Sequence, residues 1–477
     1  MPNKVMEDRE LLLLDGPHDG EAEEDFTPNS FLTGDKTCLN LVYLAALVAA
    51  IGGLLFGYDV GIITGAKLQV AHDLGLTCAQ EELLVALMPL GALSASLVAD
   101  PCLSGFGRKT TIQLTAFIFT LGALLMAFSH SLLQLLIIGR FTVGFAVSLS
   151  AMAECLYISE ISAPSNRGLL ISLNELGITV GLLLAYITNF IFMSVSGGWR
   201  YMFGLSTVLS VVQFGALLLL PSTPHFLVMK SRDSEACAVL ERMGSGVGVR
   251  QQLANIRASR LEVEESSCSA LFGSQNNMRG RLFIGLGLVL LQQITGQPNI
   301  LYYATDVFEA VGFCGSTLAS LATVGLGLVK VGATVVSLCL VDKLGRRTLL
   351  MGGVMLMAVS LGALTVFAGY QAHVVGGLQH KETCAHSNTS SIHNSPFQDH
   401  LNITKESGAT MCENNPLPPA LRYIAFVAIV TYVAAYSLSF GPISWIILSG
   451  LSCIESSYIP KSCLPQKYSH LAPRGAL

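Results

Sequence analysis

Charge is the scarcest property of this sequence. Only 12% of its 477 residues are Asp, Glu, Lys or Arg, where soluble domains average about 25%. That shortage excludes a disordered chain and argues against an ordinary cytosolic enzyme. A basic excess is missing as well. Against 32 Asp and Glu stand 27 Lys and Arg, a net charge of −5, so nucleic acid is not an expected partner. The twelve Cys are scattered, without a CxxC pair, which excludes a disulfide-dense secreted scaffold. No nucleophile–base pair, metal-ligand cluster or phosphate loop is apparent, so catalytic residues, cofactor and metal are all expected to be none. What the chain does have is apolar residues (52%, mean hydropathy +0.58) and 46 Gly. Gly is more frequent in membrane helices than in soluble ones. The composition is that of an all-α, polytopic membrane protein.

A spanning helix needs roughly 20 mainly apolar residues. Ten such runs are present: 41–66, 83–103, 110–129, 132–158, 168–193, 200–220, 281–304, 317–341, 348–369 and 420–449. Arg108 and Lys109 follow span 2, Arg167 follows span 4, and Lys343, Arg346 and Arg347 follow span 8. The segment after span 6 carries Lys230, Arg232, Arg242, Arg250, Arg257, Arg260 and Arg279. The alternate loops carry few cations, among them Arg200 and Lys381. Cations in short loops stay cytoplasmic, so both termini are expected in the cytoplasm. The 370–418 loop then faces outside or a lumen, where Asn388-Thr-Ser and Asn402-Ile-Thr are glycosylation acceptors. Cys384 and Cys412 share that oxidising side and could pair.

The expected organisation is a cytoplasmic tail (1–38), a six-helix half (39–220), a cytoplasmic linker with short helices (221–280), a second half (281–449) and a polar tail (450–477). Gly107-Arg108-Lys109 recurs as Gly345-Arg346-Arg347, 345 − 107 = 238 residues later. Matching charged turns in two halves mark transporters built from parallel repeats. The first 35 residues, acidic and polar, do not read as a signal peptide.

Several local motifs occur in a fixed order. They are Gly57-Tyr-Asp-Val-Gly61, Gly139-Arg140, Glu160 seven residues before Arg167-Gly168, Trp199-Arg200, Gln292-Gln293-Ile-Thr-Gly296 with Tyr302-Tyr303, Asp342-Lys-Leu-Gly-Arg346-Arg347, and Gly441-Pro442-Ile-Ser-Trp445. In this order the chain resembles a facilitative glucose transporter of the sugar porter family, within the major facilitator superfamily. Gln297-Pro-Asn299 and the large loop before span 10 resemble the subgroup containing members 10 and 12. The resemblance runs from residue 40 to about 449. It implies a major facilitator-type bundle of six plus four helices, two short of the family's twelve, and a hexose as small-molecule partner within the lipid bilayer.

Hexose hydroxyls both donate and accept, so a dry site needs amides, carboxyls and an aromatic face. By resemblance Gln292, Gln293 and Trp445 are hexose contacts. Asn299 lies seven residues beyond Gln292, and Gly296 and Pro298 are expected to interrupt the helix between them, as cavity-lining helices often are. Glu175 stands where many relatives have a sugar-binding Gln, Lys330 where many have Asn, and Ser437 where several have Glu. Glu175 and Lys330 are open to two readings: an ion pair across the cavity, or two independently hydrated residues. Helix-to-helix glue is the alternative for all of these polar residues.

Asp59 and Arg140 resemble the helix 1 acid and helix 4 arginine of proton-coupled sugar porters, which makes a symporter the rival of a uniporter whose ion pair is only structural. Glu160 with Arg167, and Arg108, Asp342, Arg346 and Arg347, are the gating residues that the resemblance implies. The first copy departs from the motif, with Ser104 at its usual Asp; Asp100 lies one turn earlier. Ser222 and His225 replace a usual Glu and Arg, and His225 is read as a solvated residue. Glu154, inside span 4, has no counterpart.

Glu7-Asp-Arg-Glu-Leu11-Leu12 resembles the acidic dileucine signal read by adaptor proteins, although short patterns also recur by chance. The expected location is the plasma membrane, endosomal or perinuclear endomembranes. After Leu448 the sequence departs from its family, and a non-transporting sensor or regulatory membrane protein is the rival from another class.

The orientation makes a prediction. Glycosidase should increase the electrophoretic mobility of the protein, and Asn388→Gln with Asn402→Gln should abolish that change. A glycan-free protein with a protease-protected 370–418 loop would invert the topology.

Overall fold

The computed structural model describes residues 36–129, 132–162, 167–243, 248–265, 278–313, 316–375 and 418–444. Its regular elements are all helices. The first six are α1 (Lys36–Leu74), α2 (Cys78–Phe106), α3 (Arg108–Ala127), α4 (Leu133–Ile161), α5 (Arg167–Phe192) and α6 (Gly198–Leu218). Three short helices follow: α7 (Pro224–Met229), α8 (Asp233–Arg242) and α9 (Val249–Glu265). The remainder comprises α10 (Met278–Ile294), α11 (Gln297–Tyr302), α12 (Ala304–Val311), α13 (Ser316–Leu344), α14 (Arg346–Val375) and α15 (Pro419–Leu438). Among the described residues, nine helices are long and apolar enough to cross a bilayer. The side chains of Leu97, Leu219, Phe283 and Val366, all at least 72% exposed, are what a lipid-facing perimeter requires.

The seventh expected span is discontinuous. The α10 helix ends at Ile294, Gly296 turns the chain at φ 76°, and α11 starts with Pro298 in its first turn. Gly adopts positive φ without the penalty a Cβ would bring, and Pro is tolerated at a helix start. The interruption expected from Gly296 and Pro298 is therefore present, with α11 and α12 as two short successors.

The most extensive helix contact is α1 on α5. Gly53, Gly57, Gly61 and Gly65 recur every fourth residue and so share one face of α1. A Cβ at these positions would strike Asn174, Ile178, Ala185 and Asn189 of α5 within 1.8–2.7 Å. Gly177 and Gly181 answer from α5, against Ala50 and Leu54. In lipid, small residues let backbones approach and gain the van der Waals contact that drives association. With α1 so placed, Tyr58 donates to the Met202 carbonyl of α6 at 2.8 Å. The α4 carboxylate of Glu154, fully buried, accepts from Ser150 at 2.7 Å and from Gln213 of α6 at 2.9 Å. It fills the space left by Gly52, where a Cβ would lie 1.6 Å from Oε1.

The segment between the two groups of helices packs its own small core, Leu227, Val228, Ala236, Val239, Leu240 and Leu253. In the second group of helices, α15 lies against α13 and α14, and α13 packs across onto α5. The Asn388, Asn402, Cys384 and Cys412 expectations, the Glu7–Leu12 motif, and Trp445 with the tail after it lie outside the described residues.

Gly57→Ala should lower the thermal midpoint of the detergent-solubilised protein by several degrees. Its Cβ falls 1.8 Å from the Ile178 carbonyl, and overpacking costs about 1–3 kcal/mol. Gly287→Ala in α10, where a Cβ meets nothing within 4 Å, should leave the midpoint unchanged.

Candidate functional site

The break after α10 brings an amide, a lysine and a glutamate to the seam between the two groups of helices. Gln292, half-buried in the last turn of α10, donates from Nε2 to the Tyr436 hydroxyl of α15 at 2.8 Å. Lys330 of α13 is 3% exposed and holds its ammonium 5.4 Å from the Tyr436 ring centroid, a cation–π distance. Glu175 of α5, 8% exposed, is the charge that acts on Lys330 and Tyr436. Its Oε1 lies 3.2 Å from where a Cβ on Gly441 would sit, so the glycine leaves the carboxylate its place. The hydroxyls of Ser437 and Ser444, later in the same part of the chain, are buried without hydrogen-bond partners. Tyr432 donates to the Thr295 carbonyl at 2.7 Å, tying α15 to the freed backbone at the break.

Five of the expected contact residues are therefore placed in two ways. Gln292, Glu175 and Lys330 converge on Tyr436. Gln293 and Asn299 are exposed, and Asn299 belongs to α11 beyond the turn rather than continuing the face of Gln292. Tyr436 was not singled out in the sequence; a tyrosine next to Ser437, at the position of a usual acid, was the available signal.

Asp59 and Arg140 meet as expected. Arg140 Nη1 donates to Asp59 Oδ1 at 2.8 Å, with the two residues 0% and 2% exposed. The pair joins α1 to α4 and so lies inside one bundle. Asp59 Oδ2 and Arg140 Nε and Nη2 are buried without hydrogen-bond partners. Tyr302, from α11, lies within the field of both charges.

Within the expected gating set, Glu160 is paired with Arg108, at 2.6 Å. The reason is topological: Arg108 opens α3 directly after the Gly107 turn (φ 85°), whose side a Cβ would close against Phe226 of α7. That turn delivers the guanidinium to the end of α4. Arg346 and Arg347 are exposed at the start of α14, while Asp342 lies in α13 with its side chain outside the described set. Ser104 donates to the Asp100 carbonyl at 2.8 Å, so its hydroxyl is satisfied within the helix and does not replace a carboxylate. His225 is half-buried, not solvated as expected, and its Nδ1 has no hydrogen-bond partner. Burial pushes its pKa below the ordinary histidine value; Glu160 opposes this, and Arg108 and Arg167 reinforce it.

This architecture and sequence have counterparts. The family model described as "Sugar (and other) transporter" matches residues 45–383. Facilitated glucose transporter member 12 of Xenopus laevis is 37% identical over 454 residues, covering 86% of this chain and 77% of that protein. Human member 10 is 37% identical over 454 residues, covering 86% and 80%. Among solved structures, the partially occluded, inward-open xylose transporter XylE of E. coli superposes with a TM-score of 0.66 at 23% identity, covering 87% of this chain and 89% of that one. The XylE proton:xylose symporter bound to 6-bromo-6-deoxy-D-glucose gives 0.68 at 22%, covering 91% and 90%. At such identity these structures speak for the shared fold alone, whereas the family-model match and the transporter relatives speak for descent. The chain belongs to the sugar transporter family, as a multi-pass membrane transporter and not an enzyme.

Proposed function

We propose that this protein carries a hexose across the membrane by alternating access, as a facilitative uniporter. The observation that carries the reading is the convergence of Gln292, Lys330 and Glu175 on Tyr436, where α5 of one bundle faces α10, α13 and α15 of the other. A substrate held there touches both bundles, so binding energy can act on their relative motion. The amide and carboxylate suit sugar hydroxyls, and the Tyr436 ring offers an apolar face; Trp445, by family resemblance, would supply another. Gln293 and Asn299, exposed beside the break, are assigned to the sugar pathway instead of its inner contacts. The names of the glucose-transporter relatives point to the same substrate class.

In this reading residues 39–220 and 281–449 form the two moving halves, joined by the 221–280 linker. Arg108 with Glu160 is one half of the cytoplasmic gate, and Arg167, Asp342, Arg346 and Arg347 complete it when that face closes. Cytoplasmic termini, N-glycans at Asn388 and Asn402, and adaptor recognition through Glu7, Leu11 and Leu12 at the plasma or endosomal membrane belong to the same proposal.

A second reading has its own observation. The Asp59–Arg140 pair is buried with three polar atoms unpartnered, and intramembrane charges are often functional. Protonation of Asp59 when Arg140 moves away would couple hexose to a proton.

Purified protein in liposomes should equilibrate labelled hexose without concentrating it. Gln292→Ala should raise KM about two- to tenfold, since a net hydrogen bond is worth about 0.5–1.5 kcal/mol. Absence of any uptake would reject the carrier, and an unchanged KM at equal protein would remove Gln292 from the site. An imposed inward proton gradient should produce no accumulation. Accumulation that Asp59→Asn abolishes would establish the symporter in its place.

Asp59→Asn should also destabilise the protein in detergent, because removing one partner of a buried pair costs about 3–5 kcal/mol. Asp59→Asn with Arg140→Gln should recover part of that loss. If the single variant melts with the parent, the pair is not the buried, mutually dependent one described here.

A further inference from the structure

The end of the bundle opposite the basic loops holds a charged cluster that neither the sugar site nor the Asp59–Arg140 pair uses. Lys67 lies two turns before the end of α1 and is 5% exposed. Its ammonium pairs with the Asp306 carboxylate of α12 and sits 4.2 Å from the Tyr303 ring centroid. The Tyr303 hydroxyl donates to Glu82 Oε2 of α2 at 2.5 Å. Below these, Thr64 of α1 and Tyr186 of α5 both donate to the Leu301 carbonyl, at 3.2 and 3.1 Å. Each of these contacts joins a residue of the α1–α6 bundle to α11, α12 or the residue between them.

We propose that Lys67 and Asp306 form an ionic lock closing this end, and that its strength sets how the resting protein divides between its two access states. The inference rests on the alternating-access reading and on the charge-derived orientation, by which this end faces outside. Opening it must draw α12 away from α1, leaving a nearly buried ammonium without its counter-charge. Glu81 and Glu309 also lie within reach of the Lys67 charge, so the lysine neutralises a crowd of carboxylates that would otherwise repel one another across the seam. A cost of that kind falls on the opened state alone, and a population shifts only through such a difference between states. At the opposite end, Arg108 and Glu160 pair within one bundle and Arg346 is exposed. The lock therefore favours the state closed at Lys67.

The test labels a cysteine placed under the lock. Val60 is buried one turn before Thr64 on the same face of α1. In a chain with its other cysteines replaced, Val60→Cys is exposed to a membrane-impermeant maleimide added to one side of the membrane at a time. Asp306→Asn and Lys67→Met should each accelerate labelling from the outside at least threefold, and the two together no further. Lys67→Asp with Asp306→Lys should restore the parent rate. Tyr303→Phe, which deletes a single hydroxyl, should give a smaller acceleration and keeps the test available if the charge variants do not reach the membrane. Rates unchanged in every variant would overturn the lock, and so would additive effects of the two single substitutions. Labelling needs no sugar flux, so the lock can stand or fall apart from hexose transport. Acceleration seen from the cytoplasmic side would support the lock while inverting the orientation.

Discussion

The close approach of α1 to α5 is the contact on which the rest of the arrangement hangs. Four glycines in four-residue steps seat α1 against its neighbour, and the other faces of α1 then carry the chemistry outward. One face sends Asp59 to Arg140, another sends Tyr58 to α6, and a third sends Thr64 and Lys67 to the opposite bundle. The same contact positions α5, which carries Glu175 to Lys330 and Tyr436. Widening the α1–α5 spacing by a single methyl group would disturb all of these at once, because each depends on the same helix axis.

Much of this was legible in the residue order. The apolar runs marked the spans, and Gly296 with Pro298 marked the broken helix, because only a few residue types tolerate a left-handed turn or a missing amide. Asp59 and Arg140 were legible through the resemblance to proton-coupled sugar porters, and the cost of unpaired charge in a membrane fits their pairing. Other features were present but silent. The glycines of α1 repeat every fourth residue, yet spacing cannot name the partner helix, and only packing shows α5 in that role. The resemblance named Glu160, Arg167 and Arg108 together, but only the fold shows the Gly107 turn bringing Arg108 to Glu160. Lys67 lies just beyond the first expected span and drew no reading from the sequence; its partner lies 239 residues away. Long-range pairing of that kind leaves no local periodicity to read.

The buried charges differ in how completely they are answered. Glu154 has two neutral donors on one oxygen and Asp59 has one guanidinium contact, and each keeps a second oxygen buried without a hydrogen-bond partner. Lys330 leans on an aromatic face with a glutamate acting on it. Partial satisfaction is expensive in a low-dielectric interior, and it recurs on α1, α4 and α5. A fully satisfied network would hold one geometry; these groups have room to exchange partners.

Glu154 ties α4 to α6 and presses into the notch left by Gly52 of α1, so three helices of the first bundle share one polar knot. Such a knot makes the bundle a stator. Flexibility has to be found elsewhere, and the segment after Gly296 is built for it: nothing lies within 4 Å of the position a Cβ would take there. The two short helices beyond that turn are jointed at both ends, like a latch mounted on a fixed frame.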